Sequence, residues 1–157
     1  MTIFRVENIR KSYGGLVAVN DVSFEVRKSE IMGLIGPNGP GKTTLLKASA
    51  GLMPIETGRI LTGDHSAENP AVAYVPQREA ADWDFPITVR ALVEMGRYPD
   101  LGLWGRCTAR DQQIVEEALR VSELTEFAGR QIKALSGGQQ QRAFLARAWA
   151  QQAHIYL

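Results

Sequence analysis

The chain has 157 residues, a formal net charge of +1 at pH 7 and a single cysteine, Cys107. The near-neutral charge and the lack of a long basic tract argue against nucleic acid as a partner, and one cysteine excludes an internal disulfide or a Cys/His metal cluster. The length is that of about one domain. No leader and no run of about 18 apolar residues occurs, so we expect a soluble protein, in which any membrane role would have to come through a partner.

The first part of the chain is predicted to be a set of strands. Alternating apolar and polar residues indicate half-buried strands over 3–9 and 22–26, and the apolar run Ile31-Met32-Gly33-Leu34-Ile35 predicts a third, buried strand. Between the first two strands, Tyr13 precedes Gly14-Gly15 on a predicted turn. An exposed aromatic ring there is able to stack on an adenine, and the alternative is a tyrosine that covers the edge of the sheet.

A phosphate-binding pattern follows the third predicted strand. Residues 36–44 match G-x-x-x-x-G-K-[ST], the Walker A loop, and a helix over 45–50 completes the strand–loop–helix context that this motif requires. Its residues are Gly36, Pro37, Asn38, Gly39, Pro40, Gly41, Lys42, Thr43 and Thr44. The alternative is a glycine-rich turn that meets the pattern by chance.

The chemistry of this loop predicts a role for most of its residues. We expect Gly36, Gly39 and Gly41 to take unusual φ values, so that backbone N–H groups at the helix N-terminus face an anion. The ammonium of Lys42 is predicted to reach the β- and γ-phosphates, and the hydroxyl of Thr43 to hold Mg²⁺.

One residue of the loop removes a donor. Pro40 has no N–H, and a hydrogen bond to a charged acceptor contributes roughly 1–3 kcal/mol. We predict that Pro40→Ala tightens nucleotide binding if the restored N–H faces a phosphate, and an unchanged dissociation constant would contradict this.

Two further strands and a polar residue follow the loop helix. Residues 58–63 and 72–75 are predicted strands, the second of which is stopped by Pro76. Gln77 comes at once after it, where a glutamine beside a phosphate loop is able to bind Mg²⁺ or orient a water. The alternative is a solvated loop residue.

Beyond Arg78 the pattern changes from strands to helices. Ile87-Thr88 with Leu92 has the form of a hydrophobic staple around a Thr N-cap, and Thr108 with Asp111 predicts a capping box. The second helix presents one apolar face, formed by Ile114, Val115, Ala118, Leu119 and Val121.

A second glycine-bearing helix start lies at residues 135–139, which read Leu-Ser-Gly-Gly-Gln. Ser136 and Gln139 predict a capping box, which is also the mark of an ordinary helix start. Gly137 and Gly138 are costly in a helix unless a ligand or another chain comes close to the backbone. We therefore expect this N-terminus to receive an anion. Residues 153–157 begin a buried strand.

Over nearly its whole length the chain resembles the ATP-binding subunit of ABC transporters, because Walker A, Tyr13, Gln77 and the L-S-G-G-Q signature occur in that family's order and spacing. The resemblance implies an α/β fold: a P-loop NTPase core with an N-terminal antiparallel β part and an inserted helical subdomain, truncated at the start of the Walker B strand. It divides the ATP-binding domain into residues 1–77, 78–134 and 135–157.

The resemblance also implies an ATP site. Two copies would form a head-to-tail homodimer in which ATP lies between the Walker A loop of one and the signature of the other. Nucleotide contacts fall on Tyr13, the nine loop residues and residues 136–139, and Mg²⁺ contacts on Thr43 and Gln77. The catalytic roles in this ATPase fall on Lys42, Gln77 and Ser136.

A narrower resemblance is to the branch that serves importers of manganese, zinc or iron, and it rests on residues 75–78, 82–89 and 95–98. It implies uptake of a metal cation or chelate through a separate membrane permease, with an extracytoplasmic substrate-binding protein, on the cytoplasmic face of the membrane. Trp83 and Phe85 then belong to the permease-docking surface, or alternatively to a satellite apolar cluster. The competing functions are a soluble, non-transport ABC ATPase, a regulatory module that binds ATP without turnover, and an importer of another small substrate.

Three features of the family are expected beyond Leu157: the Walker B aspartate, the glutamate after it and the switch histidine. His154 precedes the last predicted strand and does not take the histidine's role. We therefore expect these residues to be a fragment of a longer protein, able to bind nucleotide weakly but not to hydrolyse it efficiently.

Overall fold

The computed structural model describes residues 1–63, 72–76, 86–101 and 105–157. The chain forms two compact units, one of residues 1–74 together with Leu157 and one of residues 75–156. The predicted subdomain boundary between residues 77 and 78 lies outside the described residues, so that division stays a prediction.

The first unit is built on a three-stranded antiparallel sheet. Its strands are β1 (Thr2–Tyr13), β2 (Leu16–Arg27) and β3 (Thr57–Thr62), in the order β2-β1-β3. Phe4, Val6 and Ile9 of the central strand β1 are buried, as the alternating pattern predicts. Both hairpin strands are longer than the sequence indicated, and the turn after Tyr13 is confirmed, since Tyr13 pairs with Leu16 across it.

Helix α1 (Pro40–Ser49) contacts strand β2, and its residues Leu45 and Ala48 are buried. It begins five residues earlier than the predicted start at residue 45. The short strand β4 (Val72–Ala73) confirms the position but not the length of the strand predicted over 72–75, and the N–H of Leu157 donates to the carbonyl of Ala73 at 2.8 Å.

The predicted buried strand at residues 31–35 is wrong. No strand is assigned there, and the side chains of Ile31 and Ile35 are 99% and 95% exposed. A strand is stable only when its backbone groups pair in a ladder and its apolar faces are covered. In the described part of the chain no strand pairs with this run, so its apolar composition alone does not make it a strand.

The second unit is helical. It contains α2 (Val89–Glu94), α3 (Tyr98–Leu101), α4 (Ala109–Val121) and α5 (Gly137–Ala150), with the short strand β5 (Ile155–Tyr156) near its end. The 3₁₀ turns are Met95–Arg97, Thr125–Phe127 and Ile132–Ala134. One core joins α2, α4 and α5 and consists of Val89, Leu92, Val93, Ile114, Val115, Ala118, Leu119, Leu124, Ile132, Leu135, Ala143, Ala146 and Ala150. None of the helices in the described parts of the chain is long and apolar enough to cross a membrane.

The predicted helix starts are confirmed. The Thr88 side chain accepts from the N–H of Ala91 at 3.2 Å, and Thr108 with Asp111 forms both bonds of a capping box. The apolar face of α4 is also buried, except that Val121 is 46% exposed. Val121 is the last residue of α4.

An ion pair that the sequence did not predict lies beside this capping box. The buried guanidinium of Arg97 donates to Asp111 at 2.9 Å and to the carbonyl of Ala150 at 2.8 Å, and it also pairs with Asp100. The hydroxyl and N–H of Thr108, and then Arg97, lower the pKa of Asp111 to about 2. The preceding residue, Gly96, lies so close to α5 that a Cβ atom there would overlap the carbonyl of Arg147.

Candidate functional site

The N-terminus of α1 is open to an anion. Its N-cap is Gly39, which offers no side-chain cap, and the first turn carries no acidic residue. Pro40 takes the first helical position, where a proline costs the helix no hydrogen bond because that N–H has no partner within the helix. The loop residues 36–40 are exposed. The backbone N–H groups of the first turn and the positive end of the helix dipole therefore face solvent.

Lys42 adds a positive charge to this end of the helix. Its ammonium donates to the carbonyl oxygens of Gly36 at 2.7 Å and Pro37 at 2.5 Å, both in the same loop. A lysine has three N–H donors, so the two carbonyls hold the ammonium at the loop and a third donor remains. The charge thus lies within the segment that the motif assigns to phosphate.

The glycines of the loop do not have the φ values that we expected. Gly39 is extended, with φ 169°, and none of the three loop glycines has a φ in the left-handed region between +20° and +160°. Gly41 is required for a different reason, because a Cβ atom there would lie 2.8 Å from the backbone carbonyl of Ala18 in β2. At Gly36 and Gly39 a Cβ atom would meet nothing within 4 Å, which leaves open space over the loop.

Tyr13 lies next to the first turn of α1. It ends β1, is 45% exposed, and places its hydroxyl 3.5 Å from the hydroxyl of buried Thr44 and 3.5 Å from the sulfur of Met53. The ammonium of Lys11 lies 5.7 Å from the centre of the ring. The structure therefore brings Tyr13 to the phosphate loop with much of its ring accessible, and the contact with Thr44 was not predicted from the sequence.

The second predicted anion site lies at the start of α5. Ser136 is the N-cap, its hydroxyl accepts from the N–H of Gln139 at 3.4 Å, and its own N–H donates to the side chain of Gln139 at 2.9 Å. The predicted capping box is confirmed. Gly138 is exposed, and a Cβ atom there would meet nothing within 4 Å. The backbone at this end of α5 is therefore accessible.

The remaining predicted site residues are not brought together by the described structure. Gln77, Trp83 and Phe85 lie outside the described residues. Ser136 and the phosphate loop belong to different compact units. Their assignment to one site stays a prediction.

The residues of the loop fit a triphosphate with Mg²⁺. The uncapped helix N-terminus, the absence of acidic side chains in the first turn of α1 and the Lys42 ammonium all favour bound phosphate oxygens. Thr43 is half-buried in that turn and carries the hydroxyl that suits Mg²⁺, which prefers oxygen ligands. Tyr13 offers an aromatic ring at the same end of α1.

Comparison with known proteins agrees with this geometry. The family model described as ABC transporter matches residues 19–157. The manganese transport system ATP-binding protein MntB of Listeria innocua is 42% identical over 153 residues, which cover 96% of this chain and 64% of that protein. The zinc transport system ATP-binding protein TroB of Treponema pallidum is 45% identical over 154 residues, covering 97% of this chain and 58% of that protein.

Solved structures show the same fold. An ABC transporter described as of the metal-chelate type, in an inward-facing conformation, matches with a TM-score of 0.80 and 30% identity over 96% of this chain and 56% of that one. A nucleotide-free ATP-binding cassette from an ABC transporter matches with a TM-score of 0.78 and 25% identity. The chain thus spans about three fifths of the length of the relatives that it matches. Its phosphate loop, its signature helix and these similarities together show that the chain belongs to the ABC transporter family.

Proposed function

We propose that this chain supplies the ATP-binding part of a subunit that hydrolyses ATP to drive uptake of a metal cation, or a metal chelate, through a separate permease. The observation that carries the proposal is the uncapped N-terminus of α1 with the Lys42 ammonium held at its loop. The names of the manganese and zinc relatives support the cargo class.

Each residue of the loop has a task in this proposal. Lys42 and the backbone N–H groups of the first turn of α1 offset the negative charge of the triphosphate, and Tyr13 stacks on the adenine. The side chain of Thr43, together with Gln77, would hold Mg²⁺, which would supply further neutralisation of the charge of the triphosphate. Gln77 also orients the attacking water.

The charge of ATP motivates a second contact. One loop with one lysine neutralises about four negative charges only in part, and the accessible start of α5 offers further N–H groups. We propose that Ser136, Gly137 and Gly138 contact the γ-phosphate bound by another copy, so that two copies form a head-to-tail homodimer around two nucleotides. Loss of the γ-phosphate would then release the two copies.

The proposed assembly lies at a membrane. The subunit would sit on the cytoplasmic face, attached to the permease, and an extracytoplasmic protein would deliver the metal. A change at the γ-phosphate would reach the permease through the segment that contains Gln77 and the helical unit after it.

A reconstituted system tests this proposal. The full-length gene product is assayed for ATP hydrolysis alone, and in liposomes with its permease and binding protein. We expect turnover to depend on the permease, and Mn²⁺ or Zn²⁺ to accumulate in the lumen only when ATP is present. The Lys42→Ala protein, assembled in the same way, is the control for hydrolysis by contaminating enzymes.

Two results would overturn it. An ATPase rate that is the same with and without the permease would favour a soluble, non-transport ATPase. Transport of a different solute would show that the cargo is not a metal. The dimer is tested separately by sedimentation, in which ATP with a non-hydrolysing variant should produce dimers and ADP should not.

A further inference from the structure

Gln140 is a buried polar residue just inside the signature helix. It is 6% exposed and lies on the face of α5 that carries the buried Ala143. Its side-chain N–H donates to the carbonyl of Ile132 at 3.2 Å, and among the residues that the structure describes its side-chain oxygen is buried without a partner. In the sequence, the three-residue spacing between Gln140 and Ala143 places both on one helix face, and this spacing would have predicted that Gln140 is buried.

This amide is not explained by stability. A buried oxygen without a partner lowers the stability of the folded state, whereas an apolar side chain of the same size carries no such cost. The carbonyl of Ile132 does not depend on Gln140, because it also accepts from the N–H of Leu135 at 3.2 Å. Some property other than stability therefore has to account for the amide.

The bond from Gln140 fixes the segment that leads into Ser136. Residues 130–132 pair with residues 87–89 through their backbones. The N–H of Ile132 donates to the carbonyl of Ile87 at 2.9 Å, and the N–H of Val89 donates to the carbonyl of Arg130 at 2.9 Å. The side chain of Gln140, in the first turns of α5, bonds the carbonyl of the same residue, Ile132. The 3₁₀ turn Ile132–Ala134 is thus held between the start of α2 and the start of α5, and it ends two residues before the signature serine.

We infer that Gln140 is a positioning residue, which fixes the turn before Ser136 and thereby the direction in which α5 presents Ser136, Gly137 and Gly138. The inference rests on the proposed function, because those residues act there on the γ-phosphate. A misplacement of reacting groups by about 1 Å is able to cost about 100-fold in rate, so a looser turn should lower turnover without removing the nucleotide site.

Gln140→Met tests this inference, since methionine has a similar length and lacks the amide. In the full-length protein assembled with its permease, we expect kcat to fall about tenfold while KM for ATP changes less than about twofold. The urea midpoint should stay unchanged or rise, because the unpaired oxygen is gone. Gln113→Met is the matched control: the same substitution at an exposed position of α4, with no expected change in kcat.

Hydrogen–deuterium exchange gives a readout that does not need turnover. Gln140→Met should speed exchange in residues 131–138 and leave α4 unchanged. Equal exchange in both proteins, or a fall in kcat that only follows a lowered urea midpoint, would overturn the inference. If the wild-type protein shows no permease-dependent hydrolysis, the proposed function fails, while the exchange measurement still decides whether Gln140 holds the turn.

Discussion

The helices α1 and α5 both begin at glycine-bearing N-termini, but the two N-termini are capped differently. At α1 the N-cap is a glycine, no side chain caps the helix, and Lys42 lies in the first turn. At α5 the N-cap is Ser136, which is engaged with Gln139 in both directions. The start of α1 leaves its backbone N–H groups uncapped and adds a positive charge. The start of α5 satisfies two of its backbone N–H groups with its own side chains.

This difference separates binding from fine positioning. An uncapped end with a lysine favours an anion strongly but lacks the stabilisation of a cap, whereas a capped end keeps its shape and offers fewer donors. We therefore expect changes at α1 to lower nucleotide affinity together with turnover, and changes at α5 to lower turnover with little effect on affinity.

The largest expected effect is at Lys42. Lys42→Ala removes the only basic side chain in the first turn of α1, and we expect ATP affinity and turnover to fall about 100-fold or more. Titration with a fluorescent ATP analogue measures the affinity. Lys47→Ala, at the other end of the same helix, is the matched control, and an equal loss there would contradict a local role for Lys42.

Two glycines of the loop should differ in how much an added methyl group lowers the stability of the fold. Gly41→Ala places a Cβ atom against the carbonyl of Ala18, so we expect it to lower the free energy of unfolding by about 1–3 kcal/mol. Gly39→Ala meets open space in an extended conformation, so it should cost only the difference between glycine and alanine at an N-cap, about 0.5 kcal/mol. Urea unfolding of both proteins checks this, and equal stabilities would mean that the sheet contact does not constrain residue 41.

The two capping boxes of the helical unit allow a matched test of α5. Ser136→Ala and Thr108→Ala each remove an N-cap, and each should cost about 1 kcal/mol of stability. Only Ser136→Ala should also lower permease-dependent turnover, by about tenfold. If both variants lose turnover to the same degree, Ser136 acts only as a cap.

The smallest expected effect is a dependence of stability on pH at Asp111. Its pKa lies at about 2, below the ordinary 3.8, because Thr108 and Arg97 bond the charged carboxylate. The stabilisation is therefore complete above about pH 4 and is lost as the pH falls towards 2. Wild type should exceed Asp111→Asn in urea midpoint at pH 7, and the difference should shrink between pH 4 and 2.5. A constant difference over that range would contradict the low pKa.

Local chemistry was predictable from the sequence, and contacts between distant segments were not. The caps at Thr88, Thr108 and Ser136 depend on residues three positions apart, so the sequence contains the whole interaction. The strand predicted at 31–35 failed because a strand also needs a neighbour. The reason for a glycine at position 41 lies in Ala18, 23 residues earlier, and no local pattern shows that contact.

The site was predictable to a similar extent. The motif predicted a helix start beside Lys42 and another at Ser136, and the structure has Lys42 in the first turn of α1 and Ser136 at the N-cap of α5; their contacts with a nucleotide stay predictions. The contact of Tyr13 with Thr44 and the bond from Gln140 to Ile132 join segments that meet only through the fold. The buried pair of Arg97 with Asp111 was missed for the same reason, since charged residues usually lie on the surface.

The bond from Arg97 to the carbonyl of Ala150 has a mechanical consequence. It fastens the last residue of α5, while the signature lies at the opposite tip of this 14-residue helix. Such a helix is about 21 Å long, so a tilt of about 5° around the fastened end moves the tip by about 2 Å. Small angular changes of this rod are thereby converted into displacements comparable with the length of a hydrogen bond.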